Sequence, residues 1–599
     1  MSIVPLKKAT LAGRAGDKAQ ILADLQTLGC LHLLDLTEGS AAPEKDPSER
    51  DEAARSALKY LKNTKRQRRF LHRERQFDRD AVVREVLDNQ QRLRALSDRR
   101  DFLINRLADL SPWGDFHFPE DHALLGGYFL WFYILPHKHA GELERLILPW
   151  QLVHASAKSL FIVVLSKQEP PVDLLPVART HTGAQPLSRL QQELEDVELN
   201  LDRCEGEREL LTRFILLLRQ NLNAADDHAA RIFAQRQTLD NPQFFVLQGW
   251  VPVDQLKAIS DFSRRSGLAL ELADPAAEEQ PPSLLKNPEA LAAGETLSTF
   301  YQTPAYREWD PSLLVFFSFA LFFSMILSDA GYAVALSLPL LFFWRRLSAS
   351  VVGRRFRNLW ATLCGSATVY GVLVGGYFGV SPGPDSLLGQ VKLLDVNNFD
   401  AMMIISVVIG AGHIALANGI VTVRNWGTPL AWVHLGWITT IAGSLSLWLA
   451  AGNSSIWTVG EALVALGLAT VFLFSSSRPV DSFTNLALRL VDGLRGWTRV
   501  TKAFGDILSY LRLFALGLAS AMLALTFNQI GQGVIEALPG IGLLLGGLII
   551  LVGHTLNLGL AMMSGVIHGL RLNFIEFYGW GLSEEGYPFK AFARKENRS

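Results

Sequence analysis

The sequence predicts a mostly α-helical protein in which a soluble N-terminal half precedes a membrane domain of eight helices. Charged residues are dense before residue 310 and sparse after it. After Pro311, apolar stretches recur whose lengths are close to the roughly 20 residues that a helix needs to span a bilayer. Two segments of the first half carry the heptad spacing of a coiled coil. We therefore divide the chain into a cytoplasmic domain over 1–300 and a membrane domain over 301–599.

Strand–helix–strand patterns mark three α/β units in the soluble half, with lobes at about 1–50, 120–170 and 240–275. We expect them to form one lobe at each end of a coiled coil, which gives a dumbbell. Residues 273–300 are rich in Pro, Glu and Ala and are interpreted as a linker into the first span. The predicted strands lie at 9–13, 32–36, 127–135, 160–165, 244–251 and 268–272, and the helices at about 17–28, 138–148 and 254–266.

The heptad segments form two arms, at about 55–110 and 186–235. Apolar residues recur in steps of three and four from Leu187 to Leu222, with Arg208 as the exception. The first arm keeps the same register. Because such a seam needs a partner helix, we predict that the arms pair as an antiparallel coiled coil. The alternative is two amphipathic helices packed on a domain core.

Eight apolar stretches are predicted to cross the membrane. The seventh has some 28 to 30 residues and a length of roughly 42–45 Å, which exceeds the bilayer core, so it should tilt strongly. The last stretch is also long, so the fold ends in two long tilted helices. The stretches run at about 312–328, 331–344, 358–380, 401–423, 428–450, 456–475, 503–530 and 540–574.

The distribution of Lys and Arg gives the orientation, because basic residues favour the cytoplasmic connections. The alternate connections at 381–400, 451–455 and 531–539 contain one basic residue, Lys392. We predict a multi-pass protein of the inner (plasma) membrane with both termini in the cytoplasm. The basic residues of the cytoplasmic connections and tail are Arg345, Arg346, Arg354, Arg355, Arg357, Arg424, Arg478, Arg489, Arg495, Arg499, Lys502, Lys590, Arg594, Lys595 and Arg598.

Composition excludes several other classes of protein. A net charge of −1 over 599 residues gives no electrostatic case for binding nucleic acid. Three widely spaced cysteines exclude a disulfide framework and a thiolate zinc site. The sequence contains no Gly-x-x-x-x-Gly-Lys-Ser/Thr loop for nucleotide phosphates. The first residues lack the apolar core of a cleaved signal peptide, so we expect the soluble half to stay in the cytoplasm.

Arg512 is the first candidate functional residue. It lies about nine residues into the seventh span, a depth on the order of 14 Å, near the middle of the bilayer core. Because an arginine side chain is not deprotonated in proteins, it cannot lose its charge and must meet water, a carboxylate or backbone carbonyls. It is interpreted as a fixed cation on an ion path, or alternatively as a structural arginine. Small residues follow it, including Gly517 and Ser520, and allow another helix to come close.

The last span carries a polar stripe on one helical face. The stripe predicts a hydrated path or a polar seam between helices. For Arg571, the residue nearest the cytoplasmic end, the alternative is that its long side chain simply reaches the membrane surface. For the two histidines, the alternative is that they make ordinary interhelical hydrogen bonds. The members of the stripe are His554, Asn557, Ser564, His568 and Arg571.

Three further polar residues lie in or beside the spans. Glu461, early in the sixth span, either lines an outer aqueous entrance or caps the helix. Asp329 is predicted in the turn between the first two spans, and His413 in the middle of the fourth. For Asp329 and His413, structural roles are at least as well supported as functional ones.

Several motifs are recognisable together: Ser509-Tyr510-Leu511-Arg512-Leu513 with Ala515-Leu516, and His568-Gly569-Leu570-Arg571-Leu572-Asn573-Phe574-Ile575-Glu576-Phe577 followed by Gly586-Tyr587-Pro588-Phe589-Lys590-Ala591-Phe592. Gly249-Trp250-Val251-Pro252, Tyr301, Pro304, Asp310-Pro311 and Asp329-Ala330-Gly331-Tyr332 precede them. With these motifs in this order, the chain resembles the membrane subunit of rotary V/A-type ATPases, called subunit a or subunit I. The resemblance extends over essentially the whole chain. It lacks the long insertions of eukaryotic relatives, so the resemblance is to the bacterial or archaeal type.

The resemblance implies a non-catalytic stator that carries H⁺ or Na⁺ and needs no cofactor. A ring of proteolipid subunits would rotate against the last two helices, with two aqueous half-channels meeting it at different points. Arg512 would favour the ionised ring carboxylate and prevent a leak, supported by Arg571. The cytoplasmic domain would hold peripheral stalks beside a central-stalk connector subunit. The implied ion-translocation residues are Arg512, Arg571, His568, Ser564, Asn557, His554, Glu461, Ser509, Ser520 and Glu576.

One position departs from the family pattern. Eukaryotic relatives carry a glutamate about three turns before the second arginine, where this chain has Ala561. The polar stripe of His568, Ser564 and Asn557 is the substitute we expect. Two other classes of function stay open from the residues. A secondary transporter with a cytoplasmic sensor domain would show internal repeats at the midplane, and a purely structural anchor would leave Arg512 without a purpose.

Overall fold

The fold is that of a computed structural model, which describes residues 3–36, 52–71, 77–115, 126–171, 174–180, 185–395, 398–450, 452–476, 478 and 481–595. Parts of the sequence predictions lie outside these residues. They are 37–50 of the first lobe, 120–125 of the second lobe, 72–76 of the first arm, and Arg598 of the basic tail.

The strands in chain order are β1 (Leu6–Arg14), β2 (His32–Leu34), β3 (Phe129–Pro136), β4 (Trp150–Ala155), β5 (Ser159–Ser166), β6 (Arg179–Thr180), β7 (Leu239–Asp240), β8 (Phe244–Pro252), β9 (Ala269–Ala273), β10 (Thr303–Pro304) and β11 (Glu585–Gly586). The helices are α1 (Lys18–Leu28), α2 (Glu52–Lys62), α3 (Arg79–Leu110), α4 (Leu187–Leu211), α5 (Ile215–Arg236), α6 (Leu256–Arg265), α7 (Ala293–Ser298), α8 (Ser312–Leu327), α9 (Ala330–Leu347), α10 (Val351–Val374), α11 (Leu387–Gln390), α12 (Phe399–Arg424), α13 (Pro429–Leu449), α14 (Ser454–Phe474), α15 (Phe483–Trp497), α16 (Arg499–Leu508), α17 (Leu511–Ala537), α18 (Gly542–Arg571) and α19 (Tyr578–Gly581).

The described residues form two compact units. The first comprises those of Met1–Leu36 and Gln237–Phe592, and the second those of Thr37–Arg236 and Ala593–Ser599. The first unit contains the apolar helices together with an α/β sheet. The second contains the arms and a separate sheet.

An antiparallel sheet forms the α/β part of the first unit, with strands in the order β2-β8-β1-β9 and β7 paired with β8. β1 and β8 pair from Leu6 opposite Pro252 to Arg14 opposite Phe244. The first and third predicted α/β units therefore share one sheet. Their strand–helix–strand patterns are found as predicted, because alternating apolar residues in β1 and β8 bury one face of the sheet.

The segment after α19 packs against this sheet. Strand β11 pairs with β10. The Lys590 backbone N–H donates to His32 Nδ1 at 2.9 Å, and the Phe592 N–H donates to the Leu31 carbonyl at 2.7 Å. The rings of Tyr587 and Phe589 lie 5.8 and 5.5 Å from the His32 ring. His32 is thus the main contact between the sheet and the C-terminal segment.

In the second unit, α3 runs antiparallel to α4. Asn89 near the start of α3 donates to the Cys204 carbonyl at 2.9 Å, whereas Arg99 further along pairs with Glu193, earlier in α4. A 3₁₀ turn at Thr212–Phe214 separates α4 from α5, so the second arm is two helices. Buried residues along the seam include Val86, Leu103, Leu110, Leu190, Val197, Leu201, Leu211 and Leu218.

Arg208 interrupts the heptad pattern for a structural reason. Its guanidinium lies over the Tyr60 ring at 4.0 Å and donates to the Tyr60 carbonyl at 2.8 Å. Helix α2 therefore covers the seam at this point, and an arginine with an aromatic partner replaces an apolar residue.

The second sheet has the strand order β4-β5-β3-β6 and is entirely antiparallel. Strands β3 and β5 match the prediction. Strand β4 was not predicted, because its residues are exposed and lack a buried alternating face. The helix expected at 138–148 is instead a 3₁₀ segment, His137–Arg145, and this prediction was wrong. Gly141, in the middle of the segment, disfavours an α-helix there.

Each of the eight apolar stretches contains a helix, although the third is helical only to Val374 and the seventh is interrupted at Ser509 and Tyr510. These helices are α8, α9, α10, α12, α13, α14, α17 and α18. Five helical runs of the described residues are long and apolar enough to cross a membrane, and α8 is a shorter apolar helix. The number of crossings stays a prediction. The five runs are Phe399–Arg424, Pro429–Leu449, Ser454–Phe474, Phe483–Ala537 and Gly542–Gly581.

Basic residues gather at one end of these helices. Arg354 and Arg355 begin α10 and Arg424 ends α12. All three pair with carboxylates of the segment before α8: Arg354 with Glu289 at 2.5 Å, Arg355 with Glu295 at 3.1 Å, and Arg424 with Glu308 at 3.2 Å. We call this the basic end of the bundle, defined by Arg354, Arg355 and Arg424.

Helices α17 and α18 approach closely through glycines. A Cβ atom on Gly553 would lie 2.2 Å from the Phe527 ring, and one on Gly531 would lie 2.4 Å from Ile550 Cγ1. A Cβ on Gly546 would lie 2.4 Å from Ile535 Cγ1. These contacts lie in the half of the helix pair away from the basic end. Small residues at such positions let two helix backbones pack closely within a membrane.

Candidate ion-translocation site

The helix is interrupted just before Arg512. α16 ends at Leu508, and Ser509 and Tyr510 separate it from α17, of which Arg512 is the second residue. The Tyr510 N–H donates to the Ile507 carbonyl at 3.1 Å and the Leu513 N–H to the Tyr510 carbonyl at 2.9 Å. This three-residue spacing is that of a 3₁₀ turn, which often marks a hinge. The predicted continuous span from about 503 to 530 is therefore corrected to two helices.

Tyr510 fixes the level of this interruption within the bundle. Its hydroxyl lies 2.7 Å from His413 Nδ1, and both side chains are buried. His413 is near the middle of α12, and the Tyr510 ring packs on Gly410, one turn away, whose Cβ would lie 2.6 Å from the ring. This contact places the start of α17 level with the middle of α12. It therefore supports a mid-bundle depth for Arg512.

The cationic side chain of Arg512 makes no hydrogen bond or ion pair in the described part of the chain. The guanidinium is half-buried, and its Nη1 atom is buried with no hydrogen-bond acceptor. Arg571 and Glu576 lie within electrostatic range of it, and His568 lies within range of both arginines. Since a buried cationic N–H without an acceptor is costly inside a membrane bundle, this site is suited to an acidic group from another molecule.

Arg571 and Glu576 flank a change in helix type. α18 ends at Arg571, and a π-helical turn, Leu572–Phe577, follows. Arg571 is exposed, whereas Glu576 is only 1% exposed. Ser509 lies within electrostatic range of the Glu576 carboxylate, but its hydroxyl donates to the Gly505 carbonyl at 3.2 Å, and Glu576 Oε2 is buried without a hydrogen-bond partner among the described residues. Ser509, Glu576 and Arg571 therefore lie together beside Arg512, and π-helical turns are frequent at functional sites.

A second group of polar residues lies on the other side of Arg512, away from the basic end. Asn557 of α18 donates to the Ser520 carbonyl of α17 at 2.8 Å and to the Tyr332 hydroxyl at 3.0 Å. His554 Nδ1 lies 2.7 Å from that hydroxyl, and His554 Nε2 lies 2.8 Å from Asn528 Oδ1. We call Tyr332, Asn528, His554, Asn557 and Ser520 the polar network. It joins α9, α17 and α18.

Asp329 closes the turn between α8 and α9, as predicted. Its carboxylate accepts the Tyr332 N–H and the Gly379 N–H, both at 3.0 Å. It therefore caps α9 at its N-terminus and fixes the loop that follows α10. The same loop contributes the Phe378 carbonyl, which accepts from Asn528 Nδ2 at 2.8 Å. The turn thus orients two members of the polar network.

The predicted stripe of α18 divides into two parts. His554 and Asn557 join the polar network, and His554 makes the interhelical hydrogen bonds that were the alternative for it. Ser564 and His568 are half-buried, and His568 Nδ1 is buried without a partner among the described residues. Arg571 is at the end of the helix. The stripe therefore runs along α18 from the polar network to the neighbourhood of Arg512.

Ala561 lies between these two parts and is 5% exposed. It packs in an apolar cluster with Phe323, Leu327, Tyr332 and Ala524. A carboxylate in place of the alanine would therefore be surrounded by apolar side chains. The polar groups nearest in the helix are therefore Asn557 and Ser564, one turn away on either side.

Glu461 does not join the other predicted residues in a hydrogen bond or ion pair within the described chain. It lies on α14, is exposed, and accepts the Trp457 indole N–H at 2.9 Å. This bond spans one turn of its own helix. The structure therefore gives Glu461 a local partner, and its role at an aqueous entrance stays a prediction.

Sequence reasoning missed three members of the site. Asn528 lies eight residues after Ser520, which puts both on one face of α17, so helical spacing was a signal that could have found it. Tyr332 was noted only within a motif. Tyr510 was likewise noted only within a motif, and its partner His413, 97 residues away, could not be predicted from local spacing.

The apolar helices and the α/β unit define a membrane protein with a soluble N-terminal part. The curated relatives name the kind of protein. The chain is 30% identical over 411 residues to V-type ATP synthase subunit I of Chlamydia pneumoniae, covering 59% of this chain and 61% of that protein. It is 24% identical over 601 residues to the subunit I of Borreliella burgdorferi, covering 96% of both. A-type ATP synthase subunit I of Methanocaldococcus jannaschii is 28% identical over 461 residues, covering 70% of this chain and 64% of that protein.

The chain thus spans about three fifths of the length of the first Chlamydia relatives that it matches. No family model matches it. A crystal structure of the cytoplasmic N-terminal domain of subunit I, a homologue of V-ATPase subunit a, aligns with 44% of this chain and 99% of its own, at 15% identity and a TM-score of 0.24. The resemblance to V/A-type ATP synthase subunit I is confirmed by the curated homologues from bacteria and archaea.

Proposed function

We propose that the chain is the ion-translocating stator subunit of a rotary V/A-type ATPase or ATP synthase, with no catalytic site of its own. One observation carries the proposal: the Arg512 guanidinium, near mid-bundle, has no acceptor for its buried Nη1 in the described chain. A carboxylate on a passing proteolipid subunit would supply that acceptor. A fixed cation favours the ionised form of such a carboxylate and so promotes release of its H⁺ or Na⁺.

The polar groups on either side of Arg512 fit two half-channels that open to opposite sides of the membrane. The polar network, from Asn528 to Asn557, would belong to the half-channel on the outer side. Ser509, Glu576 and His568 would belong to the half-channel on the cytoplasmic side. The apolar cluster around Ala561 separates the two groups within α18. Such a separation would prevent ions from passing directly from one half-channel to the other.

The rest of the proposal concerns location and partners. The basic end would face the cytoplasm, because Lys and Arg mark cytoplasmic connections. The eight helices would then cross the plasma membrane with both termini inside. The proteolipid ring would contact α17 and α18, whose outward faces are apolar and exposed. The antiparallel arms would hold peripheral stalks, and the soluble domain would lie beside a central-stalk connector subunit.

The test is Arg512→Ala in the assembled complex, reconstituted in vesicles. We expect ATP hydrolysis to continue while ATP-driven ion uptake is lost. Arg345→Ala is the matched control, since Arg345 is an exposed arginine at the end of α9, and uptake should stay normal. Uptake at the wild-type rate in Arg512→Ala would overturn the proposal. Substrate-dependent uptake by the chain reconstituted alone would indicate a secondary transporter instead.

A further inference from the structure

A cavity opens between α13, α14 and α15, away from the polar residues around Arg512. Its volume is about 810 Å³. The N-terminus of α13 at Thr428 and Pro429, the end of α14 at Phe474, and the second half of α15 surround it. These are the ends of the helices that share the basic end of the bundle with Arg424.

The rim of the cavity is cationic. Arg478, Arg495 and Arg499 line it together with one acid, Asp492. Arg478 pairs with Asp492 at 3.0 Å, and Asp492 also accepts the Ser476 hydroxyl at 2.8 Å. Arg495 and Arg499 are exposed and make no ion pair with any described residue. The cavity therefore presents two arginines that make no ion pair with the described residues, of which Arg495 lies within electrostatic range of Asp492.

The floor of the cavity is apolar and aromatic. Leu430, Val433, Trp437 and Phe474 form it. Trp437 is 1% exposed, and its indole Nε1 has no hydrogen-bond acceptor among the described residues. A buried donor without a partner is costly in the free protein. A ligand with an acceptor oxygen near this floor would remove that cost.

Tryptophans mark the level of the cavity in the bilayer. The Trp432 ring stacks on Phe474 at 5.8 Å and lies 6.2 Å from the Trp426 ring. Trp497 at the end of α15 donates its indole N–H to the Leu468 carbonyl at 3.0 Å. Tryptophans are enriched at the interface between the headgroups and the hydrocarbon. The cavity therefore lies where a phospholipid headgroup meets its acyl chains.

We propose that this cavity binds one anionic phospholipid of the leaflet at the basic end. Arg495 and Arg499 hold the phosphate through their paired N–H donors, which match phosphate oxygens better than a lysine does. An acyl chain lies along Val433 and Phe474. This lipid site is separate from the proposed ion-translocation site and shares no residue with it.

The experiment uses the purified full chain in a non-ionic detergent and native mass spectrometry to count bound lipid. The probes are phosphatidylglycerol, phosphatidylcholine with the same acyl chains, and inorganic phosphate. We expect one phosphatidylglycerol to be retained per chain, and Arg495→Gln with Arg499→Gln to lower its affinity about tenfold. Phosphatidylcholine, a zwitterion, should be retained much more weakly, and inorganic phosphate should not compete.

The charge-matched control is Arg345→Gln with Arg346→Gln, two exposed arginines at the end of α9 that do not line the cavity. Their loss should leave lipid retention unchanged. If the Gln pair fails to fold, Arg499→Gln alone is compared with Arg499→Lys, which should retain more lipid than the Gln variant. Equal retention of the two lipids, equal loss in the control, or displacement by inorganic phosphate would each overturn the proposal.

Discussion

The Tyr510 hydroxyl lies 2.7 Å from His413 Nδ1, and the His413 ring stacks on the Phe577 ring with centroids 4.3 Å apart. This pair joins three separate parts of the chain: the middle of α12, the interruption before Arg512, and the π-helical turn after Arg571. Both arginines are therefore attached to the same fixed point on α12. We interpret Tyr510 and His413 as positioning residues that hold the two arginines at a constant separation.

Tyr510→Phe tests this interpretation. Removal of the hydroxyl leaves buried His413 Nδ1 without its partner, so we expect the unfolding free energy to fall by about 1–3 kcal/mol. We also expect less ion uptake per ATP hydrolysed, because Arg512 is less firmly positioned. The measurements are the thermal midpoint of the complex and ATP-driven uptake in vesicles. Tyr370→Phe is the control, since the buried Tyr370 hydroxyl has no partner among the described residues. An unchanged uptake ratio in Tyr510→Phe would exclude a positioning role.

Arg512→Lys should also impair coupling, although it keeps the positive charge. Lysine is a compact cation that lacks the planar pair of N–H donors with which arginine holds a carboxylate. We expect ATP-driven uptake well below that of the wild type, with the complex still assembled on a native gel. Normal uptake in the Arg512→Lys variant would mean that charge alone is sufficient.

Asn557→Ala removes the only side chain that bonds both Ser520 and Tyr332 in the described structure. The Ser520 carbonyl and the Tyr332 hydroxyl lose a donor within the bundle. We expect a loss of about 1–3 kcal/mol in unfolding free energy, measured by the thermal midpoint. Ser564→Ala, two turns along the same helix, should change it by less than about 0.5 kcal/mol. Equal effects of the two substitutions would argue against the polar network as a source of stability.

The seam of the arms is tested by Leu194→Asp with Leu201→Asp. Leu201 is 9% exposed and the partly buried Leu194 packs against the same cluster, so two carboxylates in the seam should separate α3 from α4. We expect peripheral stalks to be absent when the complex is run on a native gel. Leu199→Asp is the control, because Leu199 is 52% exposed on the same helix. If the double variant keeps its peripheral stalks, the arms do not hold them.

The contact of His32 with the C-terminal segment should weaken in acid. Burial lowers the pKa of His32 from its usual 6.5, and the charge of Lys590 lowers it further. Since the pKa is lower in the folded state, the neutral ring is favoured there. The stabilisation is complete above pH 6.5 and is lost as the pH falls below that value through the folded-state pKa.

Amide hydrogen exchange over 585–592 measures this effect. After correction for the intrinsic rate, exchange should be faster at pH about 5.5 than at pH about 7.5. His32→Gln keeps an acceptor for the Lys590 N–H but does not titrate, and it should show no such increase. The same increase in this variant would assign the pH response to another group.

The sequence predicted those parts of the fold that neighbouring residues determine. Apolar stretches of sufficient length indicated the eight helices, and heptads indicated the arms. The Arg208 exception depended on Tyr60, which is far along the chain, so spacing alone could not explain it. The interruption at Ser509 and Tyr510 was missed because both residues retain near-helical backbone angles and no proline marks the site. The charged residues of the site were predicted, but their contacts were not. Such contacts join distant parts of the chain, as Tyr332 and His554 do across 222 residues.

The glycine contacts between α17 and α18 have a mechanical consequence. Because Gly531, Gly546 and Gly553 bring the backbones together in one half of the pair, that half resists bending as a single stiff rod. The other half, which carries Arg512 and Arg571, contains the interruption and the π-helical turn and is the more compliant. A sideways force applied by a moving neighbour would therefore be absorbed near the arginines, while the far half acts as a rigid support.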